Sequence, residues 1–244
     1  MELKQVRALI TGGSSGIGLA TASAITAAGG KAVIAARNPE RLEKATKQSG
    51  AFGVRADVQQ GPDVQRMFNV AEERIGELNV VINNAGYGYV APLLEIDAAR
   101  FEQVWRTNVL GAMLVAKEAA QRFVDRKAGT LINVGSTSAL RGSAGASPYN
   151  ATKFALRGMT EAWRRELRSH GVRVMLVNPS EVMTNFASAK LDAAGETQKR
   201  AYTKKEQLSK LRAEEIAQAI TGLIALDERA LITEVEVWAL NPEG

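Results

Sequence analysis

The sequence contains no cysteine and a single histidine, His170. Without thiols the chain cannot form a disulfide, use a thiolate nucleophile or bind a metal through sulfur. One histidine excludes a histidine cluster and argues against a Ser-His-Asp triad, so we expect no metal ion. Gly171 follows this histidine where a helical pattern ends, which favours a helix C-cap at that point.

Aromatic residues make up only 5% of the 244 residues, and no apolar run approaches the ~20 residues of a membrane span. The N-terminus also lacks the apolar core of a signal peptide. The net charge is +5, but a nucleic acid-binding protein would show clustered basic residues interleaved with aromatics. We therefore expect a cytoplasmic protein that binds neither membrane nor nucleic acid.

Short apolar runs alternate with helical patterns along the chain. The apolar runs lie at residues 8–10, 32–35, 52–54, 80–82, 131–134, 172–177 and 231–238. The helical patterns lie at residues 17–28, 39–48, 62–75, 98–126, 150–169 and 213–226. This alternation predicts an α/β protein with a doubly wound (Rossmann) sheet, mostly parallel and seven-stranded, with helices on both faces. Asn38 followed by Pro39 predicts an N-cap with proline at the first helical position.

No repeat, low-complexity tract or flexible linker divides the sequence, so we expect one domain spanning residues 1–244. The polar segment 185–212 is the irregular part, between the sixth apolar run and the last helical pattern. Ligands of doubly wound sheets bind at the carboxyl ends of the strands. We therefore expect this segment to form a substrate-binding lid within the domain.

A glycine-rich turn, TGGSSGIG at residues 11–18, follows the first apolar run and precedes a helical pattern. A strand, a glycine turn and a helix are the context of a dinucleotide-binding fingerprint. Glycines let the backbone approach a pyrophosphate, and a helix N-terminus offers N–H donors and a partial positive charge. The residues that we expect to contact a cofactor here are Gly12, Ser14, Ser15, Gly16, Ile17 and Gly18.

The end of the second apolar run indicates which nicotinamide cofactor binds. Ala36 stands where the fingerprint expects an acid for the ribose 2′-hydroxyl, and Arg37 follows it. No carboxylate is there to repel a 2′-phosphate, and a guanidinium can bind one with two parallel hydrogen bonds. We therefore expect NADP(H) rather than NAD(H); the alternative is that Arg37 is a solvated turn residue.

Tyr149 and Lys153 stand four positions apart and therefore share one face of a helix. At roughly 4 Å their attraction is on the order of 4 kcal/mol, or about three pKa units. This predicts that the ammonium lowers the pKa of the phenol towards neutrality, where it can act as a general acid or base. The alternative is a surface lysine beside a half-buried tyrosine.

Together these motifs resemble the short-chain dehydrogenase/reductase family in its short single-domain form, from about residue 3 to residue 240. The glycine turn is similar to the family's TGxxxGxG, and NNAG at residues 83–86 matches the family motif. Tyr149 and Lys153 match its YxxxK, while Ser136 and Asn108 match its other catalytic positions. NPSEVMT at residues 178–184 is similar to the family's N-P-G-x-V-x-T.

The resemblance implies an oxidoreductase that interconverts a carbonyl and an alcohol by hydride transfer. In that family Tyr149 would exchange the proton, with Lys153 lowering its pKa and holding the nicotinamide ribose. Ser136 would hydrogen-bond the carbonyl oxygen, and Asn108 would hold a water that relays protons to Lys153. The further cofactor contacts that it implies are Asp57, Val58, Asn84, Ala85, Gly86, Tyr149, Lys153, Pro179, Val182 and Thr184.

The sequence departs from the family pattern at two places. Ser180 replaces a glycine and adopts positive φ less cheaply, so we expect the loop under the nicotinamide to be shaped differently. The C-terminus lacks the glycine-rich ending of fatty-acid ketoacyl reductases, which weakens the interpretation as a 3-oxoacyl thioester or 3-hydroxyacid reductase. The basic stretch 199–212 supports that alternative, although a solvated helix face explains it as well.

A third alternative is a non-catalytic NADP-binding regulatory protein, although such relatives typically lose the tyrosine or the lysine. The long helical patterns 98–126 and 150–169 are where relatives form four-helix interfaces, so the resemblance implies a homotetramer or dimer. Trp163 on the second pattern would lie in that contact or pack in the core.

Overall fold

The computed structural model describes residues 1–184, 203 and 209–240. Within these ranges seven parallel strands form one sheet: β1 (Arg7–Thr11), β2 (Lys31–Ala36), β3 (Phe52–Arg55), β4 (Val80–Asn83), β5 (Gly129–Val134), β6 (Val172–Pro179) and β7 (Glu234–Val237). The α-helices in this part of the chain are α1 (Gly16–Ala27), α2 (Pro39–Ser49), α3 (Gly61–Ile75), α4 (Ala98–Trp105), α5 (Ala112–Arg126), α6 (Ser147–Leu167) and α7 (Ala213–Ala225).

The strand order is β3-β2-β1-β4-β5-β6-β7, and every neighbouring pair is parallel. The order therefore reverses between β1 and β4, which is the point where doubly wound sheets bind ligands. The predicted seven-stranded doubly wound sheet is confirmed.

Two apolar layers cover the sheet, because successive residues of a buried strand point to opposite faces. On β1, Ile10 packs in the layer with α1 and α7, while Leu9 packs in the layer with α3 and α5. Both residues are fully buried. Trp163 on α6 is partly buried against the second layer, which is the core packing that the sequence left as an alternative.

The predicted helix ends are confirmed at two positions. The Asn38 side chain accepts a hydrogen bond from Arg41 N at 2.8 Å, with Pro39 at the start of α2. After α6 and a short 3₁₀ turn (Arg168–His170), Gly171 has a left-handed backbone with φ 70°. Both caps satisfy backbone groups that a helix end leaves without partners.

The chain is helical over residues 98–126 as predicted, but it is not α-helical throughout. Between α4 and α5 lies a π-helical segment, Arg106–Gly111, whose wider turn accommodates one extra residue. The segment buries Asn108, which is 3% exposed. It also lies close to Val58, because a Cβ on Gly111 would be 2.8 Å from Val58 Cγ2.

The edge of the sheet also differs from the prediction. Within the apolar run 231–238, the strand β7 is shorter than the run and covers Glu234–Val237. Beyond the end of β6, Ser180 N donates to Val237 O at 2.9 Å. Ser180 therefore continues the extended pairing. Lys127 is the one non-glycine residue with positive φ in the described part of the chain, so replacing the family glycine by Ser180 introduces no left-handed strain here.

The proposed lid over residues 185–212 lies almost wholly outside the described residues. At its end, Leu211 forms a parallel bridge with Val182. In the described ranges, no helix combines the length and apolarity needed to cross a bilayer.

Candidate active site

Three elements bring the four predicted catalytic residues to one edge of the sheet. Ser136 follows β5, Tyr149 and Lys153 lie in the first two turns of α6, and Asn108 lies in the π-helical segment. The hydroxyl groups of Ser136 and Tyr149 share a hydrogen bond. Lys153 Nζ lies 5.7 Å from the centroid of the Tyr149 ring. The structure therefore places these residues together, although they come from distant parts of the chain.

Lys153 is buried, and its ammonium group is bound to a backbone carbonyl as well as lying near the Tyr149 ring. Its Nζ donates to the carbonyl oxygen of Val134, at the end of β5, over 2.9 Å. The side chain is buried, and burial lowers the pKa of Lys153 to about 8 because an ammonium is costly away from water.

Burial has the opposite effect on Tyr149, because it disfavours the phenolate. It raises the pKa of Tyr149 above its usual value, and the hydrogen bond with Ser136 offsets this only in part. The predicted lowering of the Tyr149 pKa by Lys153 is therefore not found in this arrangement. The ammonium lies over the ring face and is directed at Val134, so removal from water outweighs its attraction.

The side chain of Asn108 is already engaged within the protein. Its Oδ1 accepts from Tyr87 N at 3.0 Å, and its Nδ2 donates to Tyr87 O at 2.9 Å and to Thr152 Oγ1 at 3.1 Å. Both amide hydrogens are thus used. Asn108 ties the loop after NNAG to α6, next to Lys153, a role that the predicted water-holding function did not include.

Ser138, the other hydroxyl near the site, supports Ser136. Its backbone N–H donates to Ser136 Oγ at 3.1 Å, and its carbonyl accepts from Asn150 Nδ2 at 2.8 Å. Since Ser136 Oγ accepts from the backbone, its own proton is available to Tyr149 or to a bound oxygen.

The glycine turn at residues 11–18, called the glycine cradle, packs so closely against neighbouring loops that its glycines leave no room for side chains. Gly12 has φ +66°, and a Cβ there would lie 2.9 Å from Ala85 Cα. A Cβ on Gly18 would lie 2.7 Å from Asn84 Nδ2, and one on Gly16 would lie 3.1 Å from Thr184 Cγ2. The glycines, NNAG and Thr184 therefore converge beside the switch between β1 and β4. These contacts explain the glycines by packing within the protein, and the position of the turn before the N-terminus of α1 is what fits a pyrophosphate.

Thr11 holds the two loops of this cradle together, and the sequence prediction did not include it. Its Oγ1 accepts from the backbone N–H groups of Asn84 and Ala85, each at 3.0 Å. Asn84 Nδ2 donates in return to Thr11 O at 3.0 Å. The sequence does indicate this role, because Thr11 directly follows the first apolar run and precedes the first glycine of the turn.

The remaining predicted cofactor residues lie around the same edge. They are the cradle residues Ser14, Ser15 and Ile17, with Asp57 and Val58 after β3, Gly86 after β4, Pro179 at the end of β6, and Val182. A Cβ on Gly86 would lie 3.0 Å from Asn108 Oδ1, so this glycine joins the cofactor loop to the π-helical segment.

A cavity of about 540 Å³ opens beyond the ends of β2 and β3. Its lining residues are Arg37, Arg55, Ala56, Asp57, Asp63 and Arg66. Asp63 accepts from Asp57 N at 2.9 Å and pairs with Arg66 at 2.9 Å, contacts that lower the pKa of Asp63. Arg37 and Arg55 form no salt bridge with any acid in the described part of the chain. Sequence analysis missed Arg55 and Arg66, because nothing in their spacing connects them with Arg37.

Comparison with known proteins agrees with this geometry. The 2-(S)-hydroxypropyl-CoM dehydrogenase 3 of Xanthobacter autotrophicus is 32% identical over 242 residues, which cover 95% of this chain and 94% of the relative. The crystal structure of levodione reductase superposes with a TM-score of 0.85 at 26% identity, covering 97% and 96% of the two chains. Actinorhodin polyketide ketoreductase with NADPH superposes with a TM-score of 0.85 at 26% identity, covering 97% of each chain.

The family model described as short chain dehydrogenase matches residues 6–194, which contain the glycine cradle, NNAG, Ser136, Tyr149 and Lys153. The chain is therefore an oxidoreductase of the short-chain dehydrogenase/reductase family.

Proposed function

We propose that this protein is an NADP(H)-dependent oxidoreductase that interconverts a ketone or aldehyde and the corresponding alcohol. The observation that carries the proposal is the meeting of Ser136, Tyr149 and Lys153 beside the glycine cradle. The family and the names of its relatives, a dehydrogenase and two reductases, support the same reaction class.

The chain's own residues would hold the cofactor along the carboxyl edge of the sheet. The cradle around Gly12, Gly16 and Gly18 binds the pyrophosphate through backbone N–H groups and the N-terminus of α1. Lys153 and Thr184 lie on the side where the nicotinamide half would extend. When bound, the nicotinamide supplies or accepts a hydride at the substrate carbon.

Tyr149 is the proton donor for carbonyl reduction. Burial raises its pKa, so the phenol carries a proton to donate across the physiological range. Ser136 gives a second hydrogen bond to the same carbonyl oxygen, where negative charge develops. Lys153 does not lower the Tyr149 pKa in this arrangement, so its proposed role is the other one that the family resemblance implies, to hold the nicotinamide ribose.

The cavity at the ends of β2 and β3 supports NADP(H) as the cofactor. Arg37 and Arg55 present two guanidinium groups there, and Arg66 already neutralises Asp63. A 2′-phosphate would therefore meet these cations, and the Asp63 carboxylate, which is paired with Arg66, would not repel it. A fluorescence titration should therefore show tighter binding of NADPH than of NADH, and the reverse order would refute this part of the proposal.

The experiment that tests the activity follows NADPH absorbance over ketones, diketones, aldehydes, 3-oxoesters and ketoacyl thioesters. We expect consumption with at least one free carbonyl compound, and a loss of more than about 100-fold in kcat for Tyr149→Phe, because the general acid is removed. A Tyr149→Phe variant that binds NADPH and keeps most of the activity would remove Tyr149 as the acid. Tight NADPH binding without turnover would favour a regulatory NADP-binding protein.

A 3-oxoacyl thioester is the second candidate substrate class. The similarity to actinorhodin polyketide ketoreductase favours it. Within the described residues, however, Lys210 pairs with Glu181 and Arg212 pairs with Glu215, so these two basic side chains are compensated inside the chain. Turnover of free ketones without turnover of thioesters would exclude this candidate.

A homodimer or homotetramer is the proposed assembly. Trp105 on α4 and Phe154 on α6 are 37% and 43% exposed, and Trp105 stacks on Phe101 with ring centroids 6.3 Å apart. These aromatic side chains lie on the two long helical regions through which the family resemblance implies association. Light scattering coupled to size exclusion measures the assembly directly, and a monomeric mass would contradict the proposal.

A further inference from the structure

Asn178, near the end of β6, contacts the backbone of the proposed catalytic serine. Its Oδ1 accepts a hydrogen bond from Ser136 N at 3.1 Å, and the side chain is fully buried. The contact is close, since a Cβ on Gly135 would clash with Asn178 Oδ1. The start of the Ser136 loop therefore rests directly against this amide.

The other end of the Asn178 amide is held by an ion pair. Asn178 Nδ2 donates to Glu234 Oε1, at the start of β7, over 2.6 Å. The Glu234 carboxylate accepts from Arg157 Nε at 2.9 Å and from Arg157 Nη2 at 3.2 Å. Arg157 lies on α6, one turn beyond Lys153. The chain of contacts thus joins the helix that carries Tyr149 and Lys153 to the loop that carries Ser136.

Charge decides which way the Asn178 amide faces. An ionised carboxylate only accepts hydrogen bonds, so Glu234 must face Nδ2, and Oδ1 is left for Ser136 N. A flipped amide would place Nδ2 against the Ser136 N–H and Oδ1 against the carboxylate. Both contacts would then be repulsive, and a buried N–H would lose its partner.

We propose that Arg157, Glu234 and Asn178 form a positioning relay that sets the backbone of Ser136 relative to Tyr149. None of the three is proposed to touch the substrate or the reacting atoms. The relay rests on the proposed function, in which Ser136 and Tyr149 hydrogen-bond the same carbonyl oxygen. Its effect is to keep the two hydroxyl groups at one separation although they belong to different elements.

A swap of polarity tests the relay. Both Glu234 oxygens accept hydrogen bonds, so Glu234→Gln alone turns an NH₂ group towards a donor, either Asn178 Nδ2 or Arg157. Asn178→Asp alone places two carboxylates in contact. We expect kcat to fall roughly 10- to 100-fold in each single variant, because a buried donor or charge loses its partner. The KM for NADPH should stay within about threefold, because none of the three relay residues is a predicted cofactor contact.

The double variant Asn178→Asp with Glu234→Gln restores, in reversed polarity, the contact to Ser136 N and the contact between positions 178 and 234, although the new NH₂ group replaces the oxygen that accepts from Arg157 Nε at 2.9 Å. The carboxylate introduced at position 178 accepts from Ser136 N and from the new amide at position 234. The oxygen of that amide accepts from Arg157, and the net charge is that of the native protein. We expect kcat to recover to within about threefold of the native value, a coupling that independent sites do not show. Losses that simply multiply in the double variant would overturn the relay.

Hydrogen exchange of the Ser136 amide provides a readout that needs no substrate. Exchange should be slow in the native protein, faster in each single variant and slow again in the double variant, while the Ile132 amide in β5 changes little. Equal acceleration at Ile132 and Ser136 would indicate general loosening and contradict the relay. If the native protein reduces no carbonyl, the proposed function fails, and this measurement still decides whether the relay holds Ser136.

A conservative variant and a surface control complete the test. Arg157→Lys retains the charge but loses the planar fork, so we expect a smaller decrease in kcat with the fold intact. Glu161→Gln breaks an exposed pair with Arg165 on the same helix, which has no contact with Ser136, and should change neither kcat nor Ser136 exchange. Full activity in Arg157→Lys, Glu234→Gln and Asn178→Asp alike would refute the proposal.

Discussion

At the scale of single residues, Tyr149 and Lys153 show how burial acts on groups of opposite charge type. The phenol is kept protonated by burial, while the pKa of Lys153 falls to about 8. The sequence predicts the pair because four-residue spacing alone brings two side chains onto one helical face. The sequence could not predict that the pKa of Tyr149 is raised. That shift depends on the burial of the phenol and on the Val134 carbonyl that holds Lys153, and both exist only in the folded chain.

The Lys153 pKa makes stability depend on pH. The pKa is about 8 in the folded protein, against 10.5 for an ordinary lysine, so the unfolded chain binds the extra proton between these values. Stability therefore rises with pH across that window. We expect the difference in free energy of unfolding, native minus Lys153→Met, to increase by about 3 kcal/mol from pH 8 to pH 10.5. Urea unfolding at several pH values measures it, and parallel curves for the two proteins would contradict it.

Arg37 is predicted to distinguish the two nicotinamide cofactors. Replacing it by alanine removes charge-assisted hydrogen bonds to a 2′-phosphate, so NADPH should bind roughly 10- to 100-fold more weakly. NADH has no such phosphate, and its affinity should change little. Fluorescence titration measures both constants. Arg229→Ala, at a side chain that is 93% exposed, controls for net charge, and equal weakening of NADH and NADPH would contradict the assignment.

At the scale of elements, apolar periodicity predicts the strands well because most of them are buried on both faces. A strand covered on two sides has a nearly continuous apolar run, as in β6, whose eight residues are all buried and mostly apolar. The π-helical segment escapes such reasoning, because the helical pattern of apolar residues continues across it. What distinguishes the segment is a close contact and not a pattern of apolar residues, because Gly111 lies where the segment crosses Val58.

The π-helical segment therefore depends on Gly111. A Cβ there would lie 2.8 Å from Val58 Cγ2 and 3.3 Å from Val58 O, so Gly111→Ala should lower the free energy of unfolding by roughly 1–3 kcal/mol through overpacking. Gly222→Ala is the matched control on α7, where a Cβ meets nothing within 4 Å. That variant should gain up to about 1 kcal/mol from helix propensity. Chemical denaturation measures both, and equal effects would contradict the steric argument.

At the scale of the whole molecule, a buried arginine ties the sheet to the end of α7. Arg173 on β6 donates to Thr130 Oγ1 on β5 at 3.0 Å and to Ile224 O and Leu226 O at 3.4 Å each. The residue is only 8% exposed. Sequence periodicity identifies Arg173 only as a polar interruption of an apolar run, since the carbonyl partners lie about 50 residues away.

Removing this tie should affect global stability. Arg173→Met removes the donor to the Thr130 hydroxyl and to Ile224 O, while Leu226 O keeps its hydrogen bond from the Met1 amino group. We expect a loss of about 3 kcal/mol in the free energy of unfolding. Arg229→Met, which breaks an exposed pair with Asp227, should change it by less than about 0.5 kcal/mol. Urea denaturation measures the difference, and similar midpoints for the two variants would contradict the role of Arg173.

The link from β7 through Asn178 to the Ser136 loop has a consequence for the order in which the protein matures. Ser136 and Glu234 are separated by about 100 residues of chain, and ribosomes add roughly 5–20 residues per second. The serine therefore leaves the ribosome roughly 5–20 seconds before the carboxylate that orients Asn178. The glycine cradle has left the ribosome by then, but the Ser136 loop gains its final support only when β7 has joined the sheet.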